Sequence, residues 1–509
     1  MKTTRRSFVK QTALFTAAVP MILSENLFAK QDQLGIALVG AGIRSGALSV
    51  GFGIDKRTKI LYVTDPDISR ANSLCNRIEK QFGYRPKALV DFRKALEDRA
   101  VDALACASCN HWHALTAIWT LQAGRHCYME KPLSFSLFEG KAITAAAEKS
   151  GLVFQTGTQR RSTTNVNELV DFIHQGGIGE VKLARVCGYR RRDAIGPLGH
   201  YPLPNGVDYD FWSGPAPVRP LTRPVFHYDW HWQRLYGNGD LGNQCPHRLD
   251  IARWALGLNT VPNSVFTYGG RLGYDVQMKD PDYVDAGDTA NTSITIYNYK
   301  TKTIVCEVRG LKSPPLFLPV GDKVGAQIGI IFYGSEGYGI QAPYGRGNIY
   351  SVCFAYDLKG NVIKEFRSVD AQGRLTPDQN ATDRHVSNFV DAIIANDPKK
   401  VNADARCGEL SAALAHYGNI SWYLGEKDKI SPVELKKVLE NVPSFDNNEE
   451  TLVRTVQHLE RNGVDLNRTP LSLGAQLNID TEKEVFIGND QANALMSREY
   501  RKSFEVKAI

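Results

Sequence analysis

Seven residues, Gly40-Ala41-Gly42-Ile43-Arg44-Ser45-Gly46, restrict this chain more than any others. They follow an apolar run, Leu34–Val39, and open a stretch with helical spacing. Two glycines one residue apart permit a tight turn and bring backbone N–H groups close to a bound anion. The N-terminus of the following helix adds a favourable dipole for the same anion. The third glycine of G-x-G-x-x-G is Ser45 here, with Gly46 one place late, so the turn alone is a weak sign. Asp65 strengthens it. This residue ends the second apolar run, 19 residues past Gly46, where a carboxylate can accept from a ribose 2′-OH and repel a 2′-phosphate. Strand, glycine turn, helix, strand and acid together predict a dinucleotide site built on Gly40, Gly42, Ile43, Arg44 and Asp65. NAD is favoured over NADP, which Arg44 and Arg70 keep open.

The surrounding pattern predicts an α/β protein. Strand-like runs at Leu34–Val39, Lys59–Thr64, Val101–Ala107, His126–Met129 and Leu152–Thr156 alternate with helical stretches at Ser69–Phe82, Phe92–Glu97, Trp112–Ala123 and Leu137–Ser150. That rhythm implies a parallel, doubly wound Rossmann sheet over residues 33–157. Beyond it, helix Asn165–Gln175 precedes runs at Val181–Gly188, Asn291–Tyr299, Thr303–Arg309 and Val324–Tyr333. These predict an α+β domain over 158–430 with an open, mostly antiparallel sheet. Helices return at Arg384–Ala395 and Glu409–Leu424. Residues 431–509 read as an extension packing on the domains, polar and irregular apart from helices near Pro432–Asn441 and Glu449–Asn462. The 509-residue length is too great for one core.

Residues 1–30 read as an address rather than structure. Arg5 and Arg6 are adjacent, Phe8 follows, and an apolar stretch runs from Ala13 to Leu23. This is the order of a twin-arginine export leader, which predicts a periplasmic protein delivered by the twin-arginine machinery. Leu27-Phe28-Ala29 matches A-x-A poorly, so a retained, anchoring leader stays open. Lys2, Arg5, Arg6, Lys10 and Lys30 against Glu25 supply +4 of the net charge of +7, leaving about +3 for the rest. No basic block remains, which argues against a nucleic-acid partner. Nine scattered cysteines give no disulfide framework, and Cys106 and Cys109 read as core residues at a strand end. No metal site is expected.

Residues 101–133 include Asn110-His111-Trp112-His113 and Glu130-Lys131-Pro132. With the glycine turn, they resemble the Gfo/Idh/MocA superfamily of sugar and cyclitol oxidoreductases. Asp210-Phe211-Trp212-Ser213-Gly214-Pro215, Gly237–Gly257, Gly334–Ile340 and the closing stretch 497–502 extend the resemblance along the chain. It implies that Asn110, His113 and Glu130 line the nicotinamide ribose and that Lys131 reaches the substrate hydroxyl. A lysine fixed by Pro132 and desolvated near a cationic ring can also carry a lowered pKa and handle that proton. Family members often place an Asp and a His four residues apart on one helical face. Here those positions are Asn243 and His247, so a relay through a carboxylate is lost while His247 can still act as acid or base. Asp250 is expected to pair with Arg253. Trp230, His231 and Trp232 suit sugar stacking and hydroxyl binding. Gln159, Arg160 and Arg161, and likewise Arg190, Arg191 and Arg192, follow strand ends and can face phosphates or substrate. The family also implies dimers through the open sheet, hence a homo-oligomer.

The leading expectation is an exported, nicotinamide-dependent oxidoreductase acting on a sugar, glycoside or cyclitol hydroxyl. Because free NAD is not expected outside the cytoplasm, the cofactor would stay bound and be recycled in place. An alternative within the same superfamily is a redox-neutral glycoside hydrolase, in which His247, Tyr201 or Tyr236 would take the C2 proton. A third is a non-catalytic saccharide-binding protein.

Overall fold

A computed structural model describes residues 33–509 apart from 281, 315–327, 345–349, 368–369, 371, 373 and 375–378. The leader, including Arg5 and Arg6, and the first residues of the expected Val324–Tyr333 strand lie outside the described residues. Among the described residues, no helix is long and apolar enough to cross a membrane.

The first domain has six parallel strands: β1 (Leu34–Val39), β2 (Thr58–Thr64), β3 (Lys87–Leu89), β4 (Ala103–Cys106), β5 (His126–Glu130) and β6 (Phe154–Gly157). Their order, β3-β2-β1-β4-β5-β6, is that of a doubly wound sheet, with the crossover point beside β1. Strand β1 is buried throughout because helices cover both faces, which is why it reads as an unbroken apolar run. The helices are α1 (Ile43–Ile54), α2 (Ile68–Phe82), α3 (His113–Gln122) and α4 (Leu137–Ser150). Local chemistry sets their ends. The Asp67 side chain accepts from the N–H groups of Ser69 and Arg70 at the start of α2, and Gly83 closes that helix at φ 77°.

The second domain is a large mixed sheet running β14-β13-β12-β11-β7-β10-β9-β8. Its strands are β7 (Val181–Gly188), β8 (Ser264–Gly270), β9 (Thr292–Asn298), β10 (Thr303–Arg309), β11 (Ile328–Gly334), β12 (Gly337–Tyr344), β13 (Tyr350–Asp357) and β14 (Val362–Arg367). Only β7 and β10 pair in parallel along this path; the other neighbours are antiparallel. Side chains alternate across β7. Ala184 and Val186 point to one face, shared with α5 (Thr164–His174), α6 (Gly239–Gln244), α7 (Pro246–Ala255) and α9 (Ala405–Leu424). Leu183 and Arg185 point to the other.

That second face departs from the expectation of an open surface. After a short strand, β15 (Lys429–Ile430), come α10 (Pro432–Leu439) and α11 (Asn448–Arg461), which lay Leu435, Leu439, Leu452 and Leu459 against Phe266, Tyr268, Ile294, Ile296 and Val305. The β7–β10 half of this face is thus covered by the chain's own helices. Three further strands, β16 (Leu471–Leu473), β17 (Leu477–Asp480) and β18 (Val485–Phe486), extend the edge beyond β8 where an irregular stretch was expected.

The segment after the sheet also returns to the first domain. Helix α8 (Gln379–Ile394) packs Val386, Phe389, Val390 and Ile393 against Ile36, Leu48 and Phe52. At the other face, Tyr500, Phe504 and Val506 join the cluster around Trp112 and Trp119.

Candidate active site

The glycine turn has the geometry a nucleotide requires. Gly40 sits at φ 82°, and a Cβ there would meet the Ala107 carbonyl oxygen at 2.7 Å. A Cβ on Gly42 would have only an Arg70 nitrogen within reach, at 3.9 Å, so the loop leaves open space at that backbone. Ile43 is 83% exposed beside it, an apolar side chain awaiting a cover. Asp65 accepts from the Ala41 N–H at 2.7 Å and the Asp67 N–H at 2.9 Å. Burial raises its pKa, and these two donors oppose the rise. The carboxylate is thus fixed against the loop at the end of β2, where it would meet a ribose. Arg44 turns away from that end: its Nε donates to Glu130 at 2.5 Å and its Nη1 to Thr382 at 3.1 Å. These bonds direct Arg44 toward Glu130 and α8. The open backbone at Gly42, exposed Ile43 and seated Asp65 fit NAD.

Lys131 follows β5 and reaches across to the second domain. Its Nζ donates to the main-chain oxygen of Asn243 at 2.8 Å, with the Asn243 Oδ1 at 3.4 Å. Burial lowers its pKa to about 8; Glu130 opposes this, while Arg44, Arg248 and Arg192 push the same way. His247 is held well below the ordinary histidine range, first by burial and then by Lys131, Arg248, Arg160 and Arg44. Its Nδ1 is buried without a hydrogen-bond partner among the described residues. Asn243 and His247 do not share a helix, contrary to expectation. Asn243 belongs to α6 and His247 to α7, with Cys245 at the junction and Pro246 in the first turn of α7.

Other expected site residues take supporting places. Asn110 and His113 are buried; Asn110 donates to Asn238 Oδ1 at 2.9 Å, and His113 Nδ1 lies 2.8 Å from the Pro132 carbonyl. His113 thus braces the Glu130-Lys131-Pro132 turn through Pro132, and Asn110 ties the same region to Asn238 of the second domain. Gln159 starts a 3-10 turn after β6, and its Oε1 is buried without a hydrogen-bond partner among the described residues. Arg160 in the same turn adds its charge at His247.

Trp230 and Trp232 are mostly covered, because Trp230 stacks on His231 with centroids 3.6 Å apart and Trp232 lies under Arg192 at 4.9 Å. Of the three, His231 is the one left partly open, and Lys131 is among the charges lowering its pKa to about 3. The Tyr201 hydroxyl donates to Pro197 at 2.8 Å, and the Tyr236 hydroxyl lies 3.4 Å from that of Tyr209. Burial pushes Tyr236 far above the ordinary tyrosine range.

The expected Asp250–Arg253 pair is replaced by a bidentate pair between Asp250 and Arg161, at 2.7 and 3.0 Å. Arg161 is therefore structural. Arg191 is exposed beside Asp193, whereas Arg192 lies in the cleft with Nε 3.5 Å from the buried Asp240. Asp240 and Arg248 escaped the sequence reading although both stand within the Gly237–Asp250 motif. Thr382 carried no signal at all.

A six-stranded parallel sheet, a glycine turn aimed at an anion and a buried lysine at the domain boundary define a nicotinamide-nucleotide-binding α/β protein with an attached sheet domain. Residues 34–158 match the Gfo/Idh/MocA family, described as an oxidoreductase family with an NAD-binding Rossmann fold. It is 26% identical over 244 residues to levoglucosan dehydrogenase from Pseudarthrobacter phenanthrenivorans, covering 46% of this chain and 54% of that protein. It is 29% identical over 124 residues to myo-inositol 2-dehydrogenase from Thermotoga maritima, covering 24% of this chain and 36% of that one. The chain thus spans about half, or less, of the length of these relatives. The fold resembles the solved structure of levoglucosan dehydrogenase with NADH and levoglucosan, at a TM-score of 0.55 and 18% identity over 76% of this chain and 96% of that one. A putative NADPH-dependent oxidoreductase from Desulfitobacterium hafniense gives 0.56 at 15% identity over 78% and 97%.

Proposed function

We propose that this chain is an exported oxidoreductase that takes hydride from the carbon bearing a secondary hydroxyl of a sugar, glycoside or cyclitol, keeping its NAD bound and returning the hydride in place. One observation carries the reading: Lys131, with its lowered pKa, is joined to the glycine-loop helix through Glu130 and Arg44, and to the second domain through Asn243. Bound NAD supplies the hydride acceptor. Lys131 takes the hydroxyl proton, and the Asn243 carbonyl keeps the amine directed into the cleft. The names of the levoglucosan and inositol dehydrogenases support a polyhydroxylated substrate.

A retained cofactor gains support from a segment that crosses from the second domain onto Asp65's neighbours. Val207 bridges to Asp67, the Asp208 N–H donates to the Pro66 carbonyl at 2.9 Å, and His227 Nε2 lies 3.0 Å from the Asp67 carboxylate. A nucleotide seated against Asp65 would sit beside this strap. The twin-arginine pattern at Arg5 and Arg6 supports export of a folded, loaded protein. The test is protein recovered from the periplasmic fraction without added cofactor, denatured and analysed by mass spectrometry. Near one NAD(H) per chain is expected; an empty site that binds added NAD only weakly would remove the closed cycle.

The redox-neutral glycoside hydrolase remains a second reading because His247 is neutral near pH 7 and has an unpartnered Nδ1. That nitrogen can take a C2 proton from a 3-keto glycoside. Release of the aglycone from an aryl glycoside with no net change in NAD would select this reading over simple oxidation.

A further inference from the structure

The helix that leaves the glycine turn is held from outside the first domain. Helix α8 follows the second domain's sheet and lies along α1: a Cβ on Gly51 would meet the Val386 side chain at 3.1 Å and the Asp383 carboxylate at 3.5 Å. Arg57, just before β2, donates to Asp391 at 2.6 Å and to Ser387 at 3.1 Å on the same helix. Thr382 stands in the first turn of α8, 5% exposed, and its hydroxyl accepts from Arg44 in the first turn of α1. We propose that Thr382 is a positioning residue for the reaction: its hydroxyl fixes Arg44 on Glu130, and through that pair it sets the charge beside the Lys131 amine. That Lys131 takes the proton rests on the dehydrogenase reading; the placement of Arg44 does not.

Two bonds from different elements hold the guanidinium, Nε on Glu130 at 2.5 Å and Nη1 on Thr382 at 3.1 Å. Glu130 cannot follow if Arg44 moves. A Cβ on Gly157 would meet its carboxyl carbon at 2.7 Å, so β6 closes one side, and its other oxygen accepts from the Lys131 N–H at 3.2 Å. Side-chain exposure is 4% for Glu130 and 28% for Arg44. Arg44 thus has water to turn into, and a partly exposed ion pair alone is a weak tether. The Thr382 hydroxyl supplies the second hold.

Lys131 is faced by Glu130 on β5, Arg44 on α1, Arg192 after β7, Arg248 and His247 on α7, and His231. Arg44 is faced by Glu130 and Tyr128 on β5 and by Asp383 and His385 on α8. Its influence on the amine is twofold. Its own charge disfavours the ammonium, and it offsets Glu130, which favours the ammonium. Both effects weaken when Arg44 swings to solvent, so both move Lys131 upward.

The test uses full-length, NAD-loaded protein and needs no substrate. Trace acetic anhydride labels free amines between pH 6 and 10, and mass spectrometry of the peptide carrying Lys131 gives the midpoint at which that amine becomes reactive. From about 8 in the unaltered protein, Thr382→Val should raise it by about half a unit or more. Thr382→Ser keeps the acceptor and should leave it in place. Arg44→Met should raise it as well, and adding Thr382→Val to Arg44→Met should change nothing further, the mark of one residue acting through the other. Circular dichroism and NAD content establish that each variant is folded, and Thr382→Ala replaces Thr382→Val if the valine does not fit. The proposal is overturned if loss of the hydroxyl leaves the midpoint unmoved, if Thr382→Ser shifts it equally, or if the Thr382→Val shift adds to that of Arg44→Met. Reduction of the bound NAD by levoglucosan and by myo-inositol is scored separately against pH. A labelling midpoint that moves as expected while oxidation ignores it would sink the assignment of Lys131 as base and leave this inference standing. Oxidation that requires Lys131, with labelling indifferent to Thr382→Val, would do the reverse.

Discussion

Lys131 and Asn243, 112 residues apart in the chain, meet through a main-chain oxygen: the 2.8 Å bond goes to the Asn243 carbonyl, and the side-chain oxygen lies farther off at 3.4 Å. The backbone at the end of α6 therefore places the amine, and the side chain at 243 tunes it. Loss of an acid at this position removes a charge from beside Lys131 without removing the contact that positions it.

A pH profile follows from the lowered lysine. Burial, aided by Arg44, Arg248 and Arg192, brings Lys131 from 10.5 to about 8. The free amine is the form that accepts a proton, so oxidation should rise with pH and level off above about 8, while reduction of the ketone should run the other way. Lys131→Met should slow oxidation by about 10²–10⁴-fold and retain NAD. The stability sign is also fixed. Between about 8 and 10.5 the unfolded chain holds a proton that the folded chain lacks, so Lys131 makes stability increase with pH across that window. Thermal melts from pH 7 to 10 should show that increase in the unaltered protein and lose it in Lys131→Met.

Asn243→Asp tests tuning against placement. A carboxylate this close favours the ammonium form, so the midpoint of the oxidation profile should move up by about one unit or more. Asn243→Ala keeps the carbonyl and should leave the midpoint within about 0.5 unit. Equal shifts in both variants would mean that the side chain, and not the backbone, holds Lys131.

The parts legible in the sequence were those whose cause is local. Gly40, Gly42, Asp65 and the Glu130-Lys131-Pro132 turn lie at strand ends of a βαβ rhythm, where periodicity and turn chemistry suffice. The partners supplied by remote segments were not legible. Arg44 ends on Thr382 from α8, a helix whose apolar face gave no sign that its target was α1. Asp250 sits one turn before Trp254 and three residues before Arg253, yet its partner comes from the turn after β6. Amphipathic spacing correctly marked α10 and α11 as helices, but the burial surface they found was the outer face of the sheet. A helix pattern specifies that one side must be covered and says nothing about what covers it.

Asp250 should matter for stability more than for chemistry. It is fully buried, accepts two bonds from Arg161 and one from Ser411 at 2.8 Å, and ties α7 both to the turn after β6 and to α9. Those bonds and Arg161 hold its pKa down against the effect of burial. Asp250→Ala leaves Arg161 without its counter-charge in a mostly buried place, which costs about 3–5 kcal/mol. Urea denaturation should show the loss, while the nucleotide recovered from variant protein that still folds should be unchanged.

Glu307 gives the C-terminal extension its own pH signature. It lies fully buried on β10, where Arg185, Arg309 and Arg454 all donate to it and the Tyr189 hydroxyl donates at 2.5 Å. Arg454 belongs to α11, and Arg185 also binds Asp446 just before that helix, so the cluster fastens the extension to the sheet. The three guanidinium groups hold the Glu307 pKa far below the ordinary carboxylate range, outweighing burial. A depressed folded pKa gives stability that is fully present above the unfolded value of about 4.3 and is lost as pH falls toward the folded one. Glu307→Gln should therefore unfold more easily at pH 7, by about 3–5 kcal/mol. The gap to the unaltered protein should stay constant down to about pH 5 and narrow below about pH 4. Urea midpoints measured across that range decide the matter. A gap independent of pH would mean that lost packing, and not the buried charge, accounts for the difference.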